Sequence, residues 1–171
     1  VTIIPNGPDI SGNTGINGNV IAYCQNAVPA TLTASGTGLK WYATSSSSDG
    51  TYTTTAPTPS TATVGTTSYF VSQTVNGSES PRSEIQVSVS ASVSTPSLTI
   101  SQTTCLVATG DVVVGSPIGA GYTYSADGIS FQSSPTLSGL NPGTYSITVK
   151  NSLGCTAALA TTINAQPAKP V

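Results

Sequence analysis

The feature that most constrains this chain is a pattern of short β-rich runs, punctuated by turn residues, that occurs twice. One stretch runs from Tyr23-Cys24-Gln25 to the strand-like Glu84–Val89, and a second from Thr104-Cys105-Leu106 to Gly154-Cys155-Thr156. Gly, Pro, Ser and Thr recur too often for helical periodicity to persist anywhere. Short runs of β-formers separated by turns at regular spacing are instead the signature of a β-sandwich. The reading is an all-β chain of two tandem sandwiches, 1–92 and 93–171, joined through the Ala/Ser/Pro-rich stretch near Val89–Pro96. Val1–Pro5 reads as an edge strand or the end of a preceding module. Asn164–Val171 reads as a linker, so the chain reads as an excerpt of a longer protein.

In the first half the predicted strands are Asn19–Tyr23, Ala30–Ala34, Leu39–Ala43, Thr67–Thr74 and Glu84–Val89. Leu32 and Trp41 are the expected inner anchors, joined by Tyr69, Val71, Ile85 and Val87 through period-two alternation. In the second half they are Ser97–Ser101, Asp111–Val114, Tyr122–Ser125, Ile129–Gln132 and Thr144–Lys150. Ala126-Asp127-Gly128 is a hairpin signal and Asn141-Pro142-Gly143 a turn.

Composition narrows the function classes. Charged residues are only 6% of the chain and the net charge is −2, against roughly a quarter charged in typical soluble domains. The four cations, Lys40, Arg82, Lys150 and Lys169, are scattered along the sequence. Binding to nucleic acid needs clustered cations that displace counterions, so no nucleic-acid partner is expected. No stretch approaches the roughly 20 apolar residues of a membrane helix, and no direct membrane insertion is expected.

Catalytic constellations are equally sparse. There is no histidine to activate a Cys24 nucleophile, and the cysteine spacing does not suit zinc. The acids Asp9, Asp49, Glu79, Glu84, Asp111 and Asp127 are dispersed, whereas a glycosidase needs two facing carboxylates. Asp49-Gly50 and Asp127-Gly128 read as turns. No cofactor, no metal and no enzymatic activity are expected. Trp41, Tyr122 and Tyr124 are candidate glycan contacts, weighed against the commoner role of such residues as core or cross-strand packing. Lys40 and Lys150, on predicted strands, are the lysines available for an intramolecular Lys–Asn isopeptide bond; solvent-facing side chains are the plainer reading.

Several motifs carry a family resemblance. YCQNA, Leu39-Lys40-Trp41-Tyr42, APTPSTATVGTTSYFVSQ and NGSESPRSEIQV in the first half resemble Ig-like modules of large surface proteins of Bacteroidota. In the second, TYSADGISFQSS, LSGLNPGTYSITVKN and GCT look like the related repeat. Such modules occur in tandem in gliding adhesins and cell-surface filaments exported by the type IX pathway, and as spacers in exported enzymes. The resemblance implies two Ig-like sandwiches at the cell surface or outside the cell. It implies a non-catalytic structural or adhesive role, with neighbouring modules of the same longer chain, surface polysaccharide or other filament subunits as partners. The alternative is a carbohydrate-binding accessory module of an exported hydrolase.

The resemblance also bears on the three cysteines. The repeat pattern pairs Cys105 with Cys155, a closure of about 4 kcal/mol by the chain-entropy model. First-half modules commonly carry NGCES, whose cysteine would pair with that of YCQNA; Ser78 stands there in this chain. Cys24 is therefore expected to be unpaired, as a buried thiol packed like a small hydrophobe, with an intermolecular bridge as the other reading.

Overall fold

The computed structural model describes residues 4–13, 20–46 and 50–169. Asp49 and the first three residues lie outside them. The chain forms two compact units, Val1–Ala91 and Ser92–Val171, and every named secondary-structure element is a β-strand.

The first unit contains β1 (Val20–Cys24), β2 (Lys40–Tyr42), β3 (Gly65–Ser72), β4 (Thr74–Val75), β5 (Ser78–Glu79) and β6 (Ser83–Ser90). Its main sheet has the order β1-β6-β3-β2. β1 runs parallel to β6, and the other pairs are antiparallel. Alternation in β6 turns Ile85, Val87 and Val89 inward, where they pack with Val71, Trp41 and Leu32. β4 and β5 form a short hairpin. Its turn, Asn76-Gly77, has φ values of 49° and 78°, the paired left-handed conformation that Asn-Gly tolerates best.

The layer facing this sheet is extended but makes no continuous ladder. Leu32 N–H donates to Pro57 O at 3.0 Å, and Asp9 and Ser35 exchange backbone bonds. Side chains supply the remaining ties. The Asn13 amide donates to Ile10 O and Thr33 O and accepts from Thr33 N–H, while Thr61 Oγ1 donates to Ala27 O. The predicted strand Ala30–Ala34 is thus an extended segment rather than a ladder strand. Its neighbour holds Pro57 and Pro59, which lack the N–H a ladder needs.

The second unit contains β7 (Ser97–Ser101), β8 (Gly110–Ser116), β9 (Tyr122–Ser125), β10 (Thr136–Leu140), β11 (Gly143–Asn151) and β12 (Thr156–Ile163). Two three-stranded sheets, β10-β8-β7 and β12-β11-β9, enclose Val112, Val114, Tyr124, Leu137, Ile147, Val149 and Ile163. Lettered in chain order without a strand D, these are the ABE and CFG sheets of an Ig-like sandwich. Tyr145, at the start of β11, donates its hydroxyl to Asn141 O at 2.9 Å. This back-bond at the corner between the two sheets is the tyrosine corner of such sandwiches.

Ile129–Gln132, predicted as a strand, contributes a single bridge, between Gln132 and Tyr124. Asp127 Oδ1 accepts the N–H groups of Ile129 and Ser130, which ties those donors into a turn instead of a ladder. Gly128, at φ 74°, takes the left-handed step of that turn.

The cysteine expectations are overturned. Cys105 is an exposed free thiol, whereas Cys24 and Cys155 are both disulfide-bonded. The segment around Cys105 is tied to the far end of β12: Thr103 Oγ1 donates to Asn164 O and Gln166 Nε2 to Thr104 O. Cys155 sits at the near end, 2% exposed, with its N–H held by Asn151 Oδ1. The eight residues of β12 span about 26 Å at roughly 3.3 Å each, whereas a disulfide needs Cα atoms within about 7 Å. Cys105 and Cys155 therefore cannot bond. Ser78 also has no bearing on Cys24. Cys24 lies beside Ser90 at one end of the first sheet, and Ser78 belongs to the hairpin that follows β3 at the other.

A candidate ligand cleft at the edge of the first unit

The residues expected to contact glycan do not form a site. Trp41 is 4% exposed and belongs to the first core. Tyr124 is 1% exposed, lies in the second core and donates its hydroxyl to Pro117 O. Neither can offer a ring face to a sugar. Tyr122 is half-buried against the same core. The two strand lysines are also engaged: Lys40 pairs with Glu79, and the Lys150 ammonium lies 3.6 Å from the Phe131 ring centroid.

A different cluster forms on the outer face of β2. Because side chains alternate along a strand, Lys40 and Tyr42 project opposite to Trp41. β2 is the last named strand of its sheet, joined on its outer side to Thr53 by a single bridge, and its Lys40 and Tyr42 side chains line a cleft. Ser72 faces Lys40 across the ladder. The β4–β5 hairpin then brings Glu79 onto the same face. Its carboxylate accepts from Lys40 Nζ at 2.8 Å, Tyr42 OH at 2.5 Å and Ser72 Oγ at 2.7 Å.

These three donors set the local electrostatics. The hydrogen bond from Lys40, then those from Tyr42 and Ser72, lower the Glu79 carboxyl to about 2. The same bond with Glu79 raises Lys40. Burial, followed by its bond to Glu79, raises Tyr42. Glu79 is thus a fixed anion at neutral pH, suited to accepting hydrogen bonds rather than donating a proton.

Aromatic and cationic groups build the rest. The Arg82 guanidinium lies 3.4 Å from the Tyr42 ring centroid and donates to Thr44 O at 2.8 Å. Lys40 Nζ is 4.9 Å from the Tyr52 ring, which is 6.0 Å from that of Tyr42. Tyr52 remains 48% exposed. Together they line a cleft of about 730 Å³, within the range of small-molecule sites. Two of the chain's four cations meet here. The sequence signal was the alternation in Leu39-Lys40-Trp41-Tyr42 together with the Asn76-Gly77 turn that returns Glu79.

The other described carboxylates serve local structure. Asp9 accepts from Ser11 N–H, Glu84 from Ser68 and Gln86, and Asp111 from Gly139 N–H. Asp127, lowered to about 2 mainly by the Ile129 N–H, accepts from the turn that follows it. Among the described residues no group of three or more His, Cys, Asp or Glu converges as a metal site would require.

The strand order defines both units as members of the Ig-like β-sandwich class, the second in its full two-sheet form. No family model matches the chain, and no curated protein matches it in sequence. Among solved structures it is similar to the human desmocollin-1 ectodomain, at 14% identity and a TM-score of 0.31, covering 99% of this chain and 38% of that one. It is also similar to murine CEACAM1b, at 16% identity and a TM-score of 0.35, covering 84% of this chain and 94% of that one. Superpositions this distant bear no weight in the argument; the strand order stands without them.

Proposed function

We propose that this chain is a non-catalytic structural and adhesive segment of a secreted bacterial surface protein or filament, working in series with further modules of the same polypeptide. The observation that carries the reading is the presence on one chain of two β-sandwich units, each closing its own core. Such units resist extension because their ladders must break together, and they leave edges and end loops available for recognition. The disulfide-bonded state of Cys24 and Cys155 suits an oxidising compartment outside the cytosol. Low charge limits non-specific ionic attraction. The Bacteroidota surface and the type IX route rest on the motif resemblance.

Single-molecule stretching under reducing conditions tests the mechanical part. The expected result is two discrete unfolding events, one per unit. Extension without resisted events would overturn a load-bearing role.

A further inference from the structure

We infer that the cleft between β2 and the β4–β5 hairpin binds a hydroxyl-rich glycan, with Tyr52 as the stacking platform and the Lys40–Glu79 pair as the polar anchor. This rests on the adhesive reading above and names its ligand class. Tyr52 is about half exposed, with Lys40 Nζ 4.9 Å from its ring centroid, and the exposed part of an aromatic ring is a surface against which the C–H face of a pyranose packs. Beside it stand a donor and an acceptor at fixed separation. Among the described residues Glu79 Oε2 accepts one hydrogen bond, from Lys40, and a carboxylate oxygen has room for a second. An ammonium has three donors, and Lys40 directs one to Glu79. Adjacent sugar hydroxyls, each both donor and acceptor, match that pair.

The cleft is also pre-organised. Tyr42 and Ser72 lock the carboxylate from below, and Arg82 lies against the Tyr42 ring, so little side-chain freedom is lost on binding. Glu79 offsets the Lys40 charge, and the Arg82 guanidinium is engaged with the Tyr42 ring and Thr44 O; the single net cation among the described lining residues is far from the clustered charge that holds a polyelectrolyte. Thr53 pairs with Trp41 on the outer side of β2, which places the neighbouring Tyr52 among the residues that line the cleft.

The test is a glycan-array screen of the full chain, followed by titration with the best soluble oligosaccharide. Neutral β-glucan and N-acetylglucosamine oligomers would be set against galacturonate oligomers of equal length. The expected result is binding to a neutral series that falls roughly tenfold or more in Tyr52→Ala, survives in Tyr52→Phe, and weakens in Lys40→Met. Ile129→Ser, on the exposed surface of the second unit, should bind as the parent does. Trp41 fluorescence confirms that each variant of the first unit is folded. No binding by the folded chain would overturn the cleft and leave the load-bearing reading to the stretching experiment. Binding that Tyr52→Ala does not alter, or binding only of galacturonate, would overturn the inference while keeping an adhesive role. Glycan cleavage would overturn the non-catalytic reading itself.

Discussion

The two units reach the same class of fold by different means. In the second, both layers are hydrogen-bonded sheets, and alternating Val and Ile side chains fill the space between them. In the first, one layer is a sheet, and the facing layer is held by Asn13, Thr61 and isolated backbone bonds across proline-bearing segments. A ladder spreads its stabilisation over many equivalent bonds, whereas side-chain ties concentrate it in few residues. The first unit should therefore be the more vulnerable to polar substitution. It is also the unit whose edge strand carries the cleft, as expected if recognition sits where regular pairing gives way to side-chain chemistry.

The largest expected effect lies in the fully laddered unit. Ile147→Ala should lower its stability by about 2–5 kcal/mol, read from amide exchange along β9 and β11. Asn13→Ala comes next. Removing the amide leaves Thr33 N–H without its partner at a site where Asn13 is buried, and should cost about 1–3 kcal/mol. Chemical denaturation followed by Trp41, the only tryptophan, reports this unit directly. Tyr145→Phe in the second unit removes one tie among many, at about 1 kcal/mol. A cost for Tyr145→Phe above that for Asn13→Ala would break the contrast.

Acid provides a finer probe. The folded pKa of Glu79, about 2, lies below its ordinary value of 4.5. The stability it contributes is therefore complete above pH 4.5 and lost as pH falls towards 2. Glu79→Gln should flatten that part of the acid response of the Trp41 signal. An unchanged acid profile would mean that the Lys40–Glu79 contact contributes nothing in solution, as many exposed ion pairs do not. The smallest effect belongs to Cys105. Alkylation of the native chain should modify this one thiol and leave both units folded, with Cys24 and Cys155 protected until reduction.

Much of the architecture was legible in local sequence, for reasons that also explain the failures. Ser97–Ser101 and Tyr122–Ser125 stand as β7 and β9 with unchanged ends, because β-branched and aromatic residues there are flanked by turn formers. β12 went unread. Its Thr-Ala-Ala-Leu-Ala run has weak strand propensity, and pairing along the whole length of β11 decides its conformation. The run Thr67–Thr74 concealed a break at Gln73, after which β4 turns back through Asn76-Gly77. That hairpin delivers Glu79, so missing it meant missing the cleft. Trp41 and Lys40 were visible on the same strand, but the face holding the site is the one opposite the tryptophan. Cysteine pairing was not legible because it depends on which ends of strands meet, and sequence order does not record that.

The most direct test of the account is two-dimensional NMR of the intact chain, titrated with a neutral oligosaccharide selected on the array. The account predicts shifts confined to the first unit, centred on Lys40–Tyr42, Tyr52 and Ser78–Arg82, with β7 to β12 unmoved. Shifts centred instead on the second unit, at the loops flanking β9 and β12, would contradict the assignment of recognition to the edge of the first.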